Sequence, residues 1–213
     1  MPELPEVETS RRGIEPHIKQ QQLSDVIIRE HRLRWPIPRN LPRILISQTV
    51  AQVSRRGKYL ILQCTRGSVI IHLGMSGSLR IVSAATPADK HDHIDLCFKN
   101  KKILRLHDPR KFGCVLWTDK PLAQHRLLAP LGPEPLSADF NGDYLYQRAR
   151  KRRVSIKSLI MNSHIVVGVG NIYASEALFR AGISPKCQAG KVSLKRYQQL
   201  VAAIKDTLAA AIK

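Results

Sequence analysis

The first residues of the chain carry an amine and two carboxyl groups that could act together in covalent catalysis. Met1 precedes Pro2, a start from which the initiator Met is usually removed, and removal would expose the secondary amine of Pro2. An α-amino group has a pKa of about 8, against about 10.4 for lysine. A free amine attacks a carbonyl-level carbon to form a Schiff base, and Glu3 and Glu6 could transfer protons. The same residue types also suit an ordinary helix start, which leaves both interpretations open.

Other candidates lie beside glycines or in basic clusters. Lys58 forms a cluster with Arg55 and Arg56 that suits phosphate binding, although a solvated lysine at the start of a strand is the ordinary alternative. Met75 lies between two glycines, where a core methionine would be unusual. Phe112, by contrast, has a residue type that usually packs in a core.

A glycine-rich segment marks a second candidate site nearer the C-terminus. Gly168 and Gly170 permit a tight turn, and Asn171 is the expected N-cap of a following helix. The start of that helix would offer free N–H groups to a phosphate. The basic run at 148–157 is either a solvated face or a further contact with a polyanion.

Hydrophobic periodicity indicates which elements position these residues. Helical spacing predicts a short helix over 4–13, and apolar or alternating runs between about 24 and 118 predict strands. A proline-containing linker at 131–137 follows, and the stripe from 194 to 208 predicts an amphipathic helix. We therefore expect an α+β fold, with an N-terminal β-sandwich and a short N-terminal helix, followed by an all-α domain.

Composition narrows the class of protein. The 213 residues are 43% hydrophobic, which is enough to build a core, and no apolar run is long enough for a membrane helix. The N-terminus has no signal peptide, so we expect a cytosolic protein. The net charge of +19 favours a polyanionic partner, most simply nucleic acid. A basic protein without catalysis, of the ribosomal or chromatin type, is the alternative.

The opening string PELPEVETSRRG closely resembles the N-terminus of bacterial formamidopyrimidine-DNA glycosylases. The resemblance implies a catalytic β-sandwich domain over 1–132 and a helix–two-turns–helix DNA-binding domain over 133–213. Further motifs of that family follow in order along nearly the whole chain, namely RRGKYL (55–60), IIHLGMSGSLRI (70–81), KHDHIDL (90–96), HDPRKFG (107–113), LGPEPL (131–136) and VGVGNIYASEALFRAGI (167–183).

The resemblance also implies an activity. It implies a bifunctional DNA glycosylase and abasic-site lyase of base excision repair, a nucleoid-associated monomer in the cytoplasm whose partner is damaged double-stranded DNA. The enzyme would excise oxidised purines, 8-oxoguanine and formamidopyrimidines, through a Schiff base on Pro2 followed by β,δ-elimination. Glu3 would be the general acid/base and Glu6 its supporting carboxylate, while Lys58 would reach the phosphate beside the lesion.

Several residues match DNA contacts of the family. Met75, Arg110 and Phe112 would enter the duplex when the damaged base is flipped out, and Arg110 would bond the orphaned cytosine. His72 is left unassigned, because it could equally be a core histidine. The remaining contacts implied by the resemblance are His91, Arg152, Lys157, Gly170 and Asn171.

The sequence departs from the family pattern at its C-terminal end. Full-length members carry a lesion-capping loop and a zinc finger with C-x-x-C pairs, and no such pair occurs among the four cysteines here. We therefore expect a C-terminally truncated form that lacks the finger and has no metal or other cofactor. The alternative function is a truncated homologue that binds damaged or abasic DNA, with lyase activity only or with no turnover.

Overall fold

The computed structural model describes residues 2–213, and its contacts divide them into two units. The first unit contains Pro2 and Glu6–His125, and the second contains Glu3–Pro5 and Arg126–Lys213. The N-terminal segment is thus shared between the units. The domain boundary after residue 132 stays a prediction.

The first unit is built from two four-stranded antiparallel sheets. Its strands are β1 (Leu23–Ile28), β2 (Val50–Arg56), β3 (Tyr59–Cys64), β4 (Gly67–His72), β5 (Ser78–Ser83), β6 (Asp92–Phe98), β7 (Lys102–His107) and β8 (Cys114–Thr118). One sheet has the order β1-β6-β7-β5, and the other has the order β2-β3-β4-β8. Apolar side chains from both sheets form a single core, as the alternating pattern requires.

Residues 2–213 also contain six α-helices. They are α1 (Leu4–Ile18), α2 (Leu41–Leu45), α3 (Gly142–Ala149), α4 (Ile156–Ile160), α5 (Asn171–Arg180) and α6 (Leu194–Ile212). The prediction that the first helix ends near residue 13 is wrong. The helix continues because Ile14 and Ile18, which are 3% and 0% exposed, extend its buried face into the core of the sandwich.

The second unit has a separate core of helical residues. The predicted stripe on α6 is largely buried, and Tyr197, in the first turn, donates from its hydroxyl to the carbonyl of Ala189 at 2.9 Å. Within residues 2–213, no helix is both long and apolar enough to cross a membrane. The predicted α+β fold, a β-sandwich with an N-terminal helix followed by a helical region, is confirmed.

An ion-pair network crosses the sheet that contains β6 and β7. Arg105 binds Asp95 through two nitrogens, at 2.8 and 2.9 Å, and both side chains are almost fully buried. Arg29 reaches the same carboxylate at 2.6 Å, while Arg80 binds the neighbouring Asp92 at 2.6 Å. Burial alone would raise the pKa of Asp95, but the hydrogen bonds from Arg105 and Arg29 lower it below its usual range.

This network predicts acid sensitivity of the sandwich. A carboxylate with a lowered native pKa stabilises the fold fully above about pH 4, and the contribution is lost as the pH falls through the native pKa. We expect Asp95→Asn to lower the free energy of unfolding at pH 7 by about 3 kcal/mol, because Arg105 keeps a buried charge without its main partner. The substitution should also flatten the loss of stability as the pH falls below about 4.

Urea unfolding followed by tryptophan fluorescence measures this effect, because Trp35 and Trp117 both lie in the first unit. Asp119→Asn is the matched control, since Asp119 is an exposed aspartate of the same unit. Equal stability of the Asp95→Asn and Asp119→Asn variants at pH 7 would contradict the prediction.

Candidate functional site

The carboxylate of Glu3 is the centre of the candidate site in the second unit. Glu3 directly precedes α1 and is only 3% exposed. Its Oε2 accepts hydrogen bonds from the N–H groups of Gly170 at 2.8 Å and Tyr173 at 3.3 Å. Its Oε1 accepts the N–H of Ile172 at 2.9 Å. The carboxylate therefore caps the N-terminus of α5, where the helix dipole also favours negative charge.

Two predictions about the start of this helix are wrong. The N-cap position is occupied by Gly170, and Asn171 is instead the first helical residue, with an exposed side chain. The N–H groups of Gly170, Ile172 and Tyr173 are not free for a phosphate, because Glu3 accepts them. The sequence held one signal for this arrangement, since a glycine N-cap offers no side chain and a remote acceptor is then needed.

The glycines of this segment provide space for the N-terminal residues. A Cβ atom at Gly170 would lie 2.2 Å from the carboxyl carbon of Glu3. Gly168 has a φ of +80°, and a Cβ there would lie 2.5 Å from Cδ1 of Leu4. The N–H of Leu4 donates to the carbonyl of Gly168 at 3.0 Å. Glycine is required at both positions because the side chains of Leu4 and Glu3 lie directly against the backbone of this segment.

The other two N-terminal candidates have different surroundings. Pro2 is partly buried and is bonded directly to the fixed Glu3, whereas Glu6 is exposed in the first turn of α1. The two carboxyl groups therefore do not share one environment, and Glu3 is the enclosed member. Met1 lies outside the described residues, so its removal stays a prediction.

Lys58 lies in the turn between β2 and β3, rather than at the start of a strand. The predicted phosphate cluster around it is smaller than expected, because Arg55 binds Glu8 at 3.2 Å and the carbonyl of Gly57 at 2.8 Å. Arg55 is 13% exposed and contributes to packing between α1 and β2. Sequence spacing could not show this, because Glu8 is distant along the chain.

His72 is a neutral neighbour of Lys58. Burial, together with the positive charges of Lys58 and Arg34, lowers the pKa of His72 to about 4. Its Nδ1 accepts the N–H of Gly74 at 2.9 Å, so the ring proton resides on Nε2. The unassigned histidine is therefore half-buried and fixes the start of the turn that carries Met75.

Met75, Arg110 and Phe112 are brought to one surface of the sandwich. Met75 is 39% exposed and Phe112 is 42% exposed, so neither is a core residue. The guanidinium carbon of Arg110 lies 4.8 Å from the centre of the Phe112 ring. The backbones of the two loops touch at Gly74, where a Cβ would lie 2.5 Å from the carbonyl carbon of Phe112. Exposed apolar side chains of this kind mark an interaction surface.

His91 contacts the residue that precedes the loop of Arg110 and Phe112. Its carbonyl accepts the N–H of Asp108 at 3.0 Å, and its ring centre is 5.8 Å from that of His107. In the second unit, Lys157 is partly buried on α4, and Arg152 is exposed in the basic run. The DNA-binding roles of these residues stay predictions.

The zinc finger of the family raises the question of which residues here could bind a metal ion. Cys64, Cys97, Cys114 and Cys187 are free thiols. Among residues 2–213, no group of three or more His, Cys, Asp or Glu side chains could hold a metal ion. The residues of this described range therefore do not fit a zinc centre.

Family models match both parts of the chain. Residues 1–115 match the formamidopyrimidine-DNA glycosylase N-terminal domain, and residues 131–213 match the formamidopyrimidine-DNA glycosylase H2TH domain. The glycosylase of Thioalkalivibrio sulfidiphilus is 57% identical over 212 residues, which cover 100% of this chain and 78% of the relative. The glycosylase of Nitrosococcus oceani is 56% identical, with 100% and 79% covered.

Solved structures agree with these matches. A complex of the Lactococcus lactis enzyme with DNA containing Fapy-dG superposes with a TM-score of 0.91 at 33% identity, covering 99% of this chain and 80% of that one. A complex of the same enzyme with abasic-site DNA gives 0.91 at 33% identity, with 99% and 78% covered. The chain therefore belongs to the formamidopyrimidine-DNA glycosylase family.

Proposed function

We propose that this DNA glycosylase excises 8-oxoguanine and formamidopyrimidines from duplex DNA and then cuts the strand as an abasic-site lyase. Repair of damaged DNA follows from membership of the family, and the named lesions and the mechanism are the proposal. The observation that carries it is the carboxylate of Glu3, which is buried and held by three N–H groups on the residue that directly follows Pro2. The complexes of the Lactococcus lactis enzyme with Fapy-dG and abasic DNA support the same substrates.

The chemistry begins at the nitrogen of Pro2. Its lone pair attacks C1′ of the damaged nucleoside, the bond from C1′ to the base breaks, and the base leaves with the electron pair and takes up a proton. Loss of the amine proton and opening of the sugar ring give an iminium ion. The iminium acidifies C2′, and loss of a C2′ proton expels the 3′ phosphate. A second elimination then expels the 5′ phosphate.

Glu3 supplies and removes protons in these steps. Its two oxygens are oriented by the N–H groups of Gly170, Ile172 and Tyr173, so the carboxyl group does not need to be ordered when DNA binds. A positioned acid or base of this kind accelerates proton transfer by about 10²–10⁴-fold. Glu6, which is exposed, supports Glu3 by adding negative charge near the forming cation.

The exposed residues of the sandwich act on the duplex. Flipping a base out costs a few kcal/mol in lost stacking. Met75 and Phe112 fill the vacated space, and Arg110 donates hydrogen bonds to the unpaired base. Lys58 binds the phosphate beside the lesion. Further contacts with the DNA backbone come from His91, Arg152, Lys157 and Asn171, while Gly170 contributes through its bond with Glu3.

A side-by-side incision assay tests the proposed function. Matched duplexes carry 8-oxoguanine, a formamidopyrimidine or an abasic site, each opposite cytosine, and the products are separated on a denaturing gel. We expect cleavage of all three, with phosphate on both new ends. Cleavage of the abasic duplex alone would limit the protein to lyase activity, and binding without any cleavage would overturn the proposal.

Blocking the amine of Pro2 should abolish covalent chemistry without weakening DNA binding. A chain with two residues added before Pro2 has no amine at that position, so borohydride should trap no adduct on abasic DNA. Pro2→Gly keeps an α-amine but loses the ring, and we expect at least about tenfold less adduct. The salt dependence of DNA binding should change little in either variant, because most counterion release comes from the lysines and arginines. Normal trapping by the extended chain would contradict the role of Pro2.

Gly170→Ala should disable the general acid/base, Glu3, without replacing it. The new Cβ would meet the carboxyl carbon of Glu3, so the carboxylate must move. We expect the trapping rate at saturating abasic DNA to fall by about 100-fold, the cost of a misplaced catalytic group. Gly13→Ala is the control, because a Cβ at Gly13 has nothing within 4 Å. A Gly170→Ala protein that traps at the wild-type rate would contradict this role for the fixed carboxylate.

A further inference from the structure

The loop of residues 109–112, between β7 and β8, presents alternate side chains in opposite directions. Arg110 and Phe112 are exposed and stack on one another at 4.8 Å. Lys111, between them, is held back by an ion pair of 2.5 Å from its Nζ to Oε2 of Glu30. Because the Lys111 side chain is held against Glu30, the side chains of Arg110 and Phe112 on either side of it point to solvent.

The backbone of Lys111 is fixed as firmly as its side chain. Its φ is +56°, a left-handed conformation that a lysine rarely adopts without support. Its N–H donates to the carbonyl of Asp108 at 3.1 Å, and its carbonyl accepts the N–H of Arg34 at 2.8 Å. The loop is thus anchored at its central residue by three contacts from outside the loop.

Asp108 joins the two ends of the loop. Its side chain is completely buried, and Oδ2 accepts the N–H of Gly113 at 2.8 Å, so that residues 108 and 113 are joined across the loop. Oδ1 has no hydrogen-bond partner in the described part of the chain. Burying an unpaired carboxylate oxygen costs free energy. Core packing alone gives no reason for an acid here, whereas the bond that shapes the loop does.

The two anchoring acids are connected through one residue of β6. The ring Nε2 of His93 donates to the carbonyl of Asp108 at 2.8 Å, and the carbonyl of His93 accepts the N–H of Glu30 at 3.3 Å. Gly113 also packs against the carbonyl of His72, where a Cβ would lie at 2.7 Å. The loop is therefore tied to both sheets of the sandwich.

We propose that Asp108 and Glu30 are positioning residues that hold the 109–112 loop rigid, so that Arg110 and Phe112 are aimed at the duplex before DNA binds. The inference deepens the proposed function and rests on it, since it assumes that Phe112 and Arg110 enter the duplex. Neither Asp108 nor Glu30 contacts DNA. Each acts through the shape of the loop, because a side chain that is already ordered loses less entropy on insertion.

The test is a duplex containing a tetrahydrofuran abasic analogue with 2-aminopurine in the adjacent base pair. Insertion of Phe112 unstacks the 2-aminopurine, so wild-type protein should increase its fluorescence. For Glu30→Gln and Asp108→Asn we expect about half of that increase at saturation and a half-saturating concentration about tenfold higher. The rate of borohydride trapping on saturating abasic DNA should stay at the wild-type value, because Pro2 and Glu3 are untouched.

Controls separate positioning from stability. Glu15→Gln also removes an ion-paired glutamate, from α1, and should leave the fluorescence signal unchanged. Glu30 is partly exposed in a loop, where an ion pair adds little stability, so Glu30→Gln should keep the wild-type melting temperature even if Asp108→Asn does not. The double variant of Glu30→Gln with Phe112→Ala should unstack the 2-aminopurine as much as Phe112→Ala alone does, because Glu30 acts only through the loop.

Two results would overturn the inference. One is wild-type unstacking by Glu30→Gln, and the other is full additivity of Glu30→Gln with Phe112→Ala. Failure of the proposed function looks different, because wild-type protein would then unstack the tetrahydrofuran duplex and yet excise no lesion. In that case the fluorescence comparison would still decide whether Glu30 and Asp108 position the loop.

Discussion

The site depends on one carboxylate that accepts hydrogen bonds from the start of a helix. Glu3 satisfies N–H groups that α5 would otherwise leave unpaired in a buried environment, and it does so from the far end of the sequence. The helix gains a cap, and the residue beside the proposed nucleophile, Pro2, gains a fixed orientation. Because the same bonds serve both purposes, changing the start of α5 also changes the geometry beside Pro2. The closely packed glycines at 168 and 170 follow directly from this arrangement.

The sandwich uses acids in a comparable way, to hold arginines and loops within the protein. Asp92, Asp95, Glu8 and Glu30 each bind at least one basic side chain. With 16 acidic residues against 35 basic ones, this use of acids for internal contacts leaves a strongly positive surface. A polyanion then meets little repulsion from carboxylates. Each internal ion pair neutralises a base as well as an acid, so the net charge of +19 is carried by the basic residues that remain.

Local periodicity predicted most of the fold from the sequence. Alternation in β6 and the helical stripe on α6 depend only on which side chains face a core, and both are found in the structure. What could not be predicted depends on partners distant in sequence. Arg55 is an example, because its ion pair with Glu8 needs α1 to lie beside β2. Asn171 is another, because Glu3 caps the helix in its place. Glu3 lies 169 positions before Ile172, whose N–H it accepts.

The candidate site residues share a reason for being invisible to periodicity. Glu3 precedes a helix, Lys58 and Met75 lie in turns, and Phe112 lies in a loop between strands. At such positions the backbone leaves the regular pattern, so side chains can be aimed at a ligand instead of at a core. Regular elements then contribute rigidity, through buried neighbours such as Asp108 and His93. The residue types and motifs suggest the proposed chemistry, and the contacts beneath them hold Glu3 and the 109–112 loop in fixed positions.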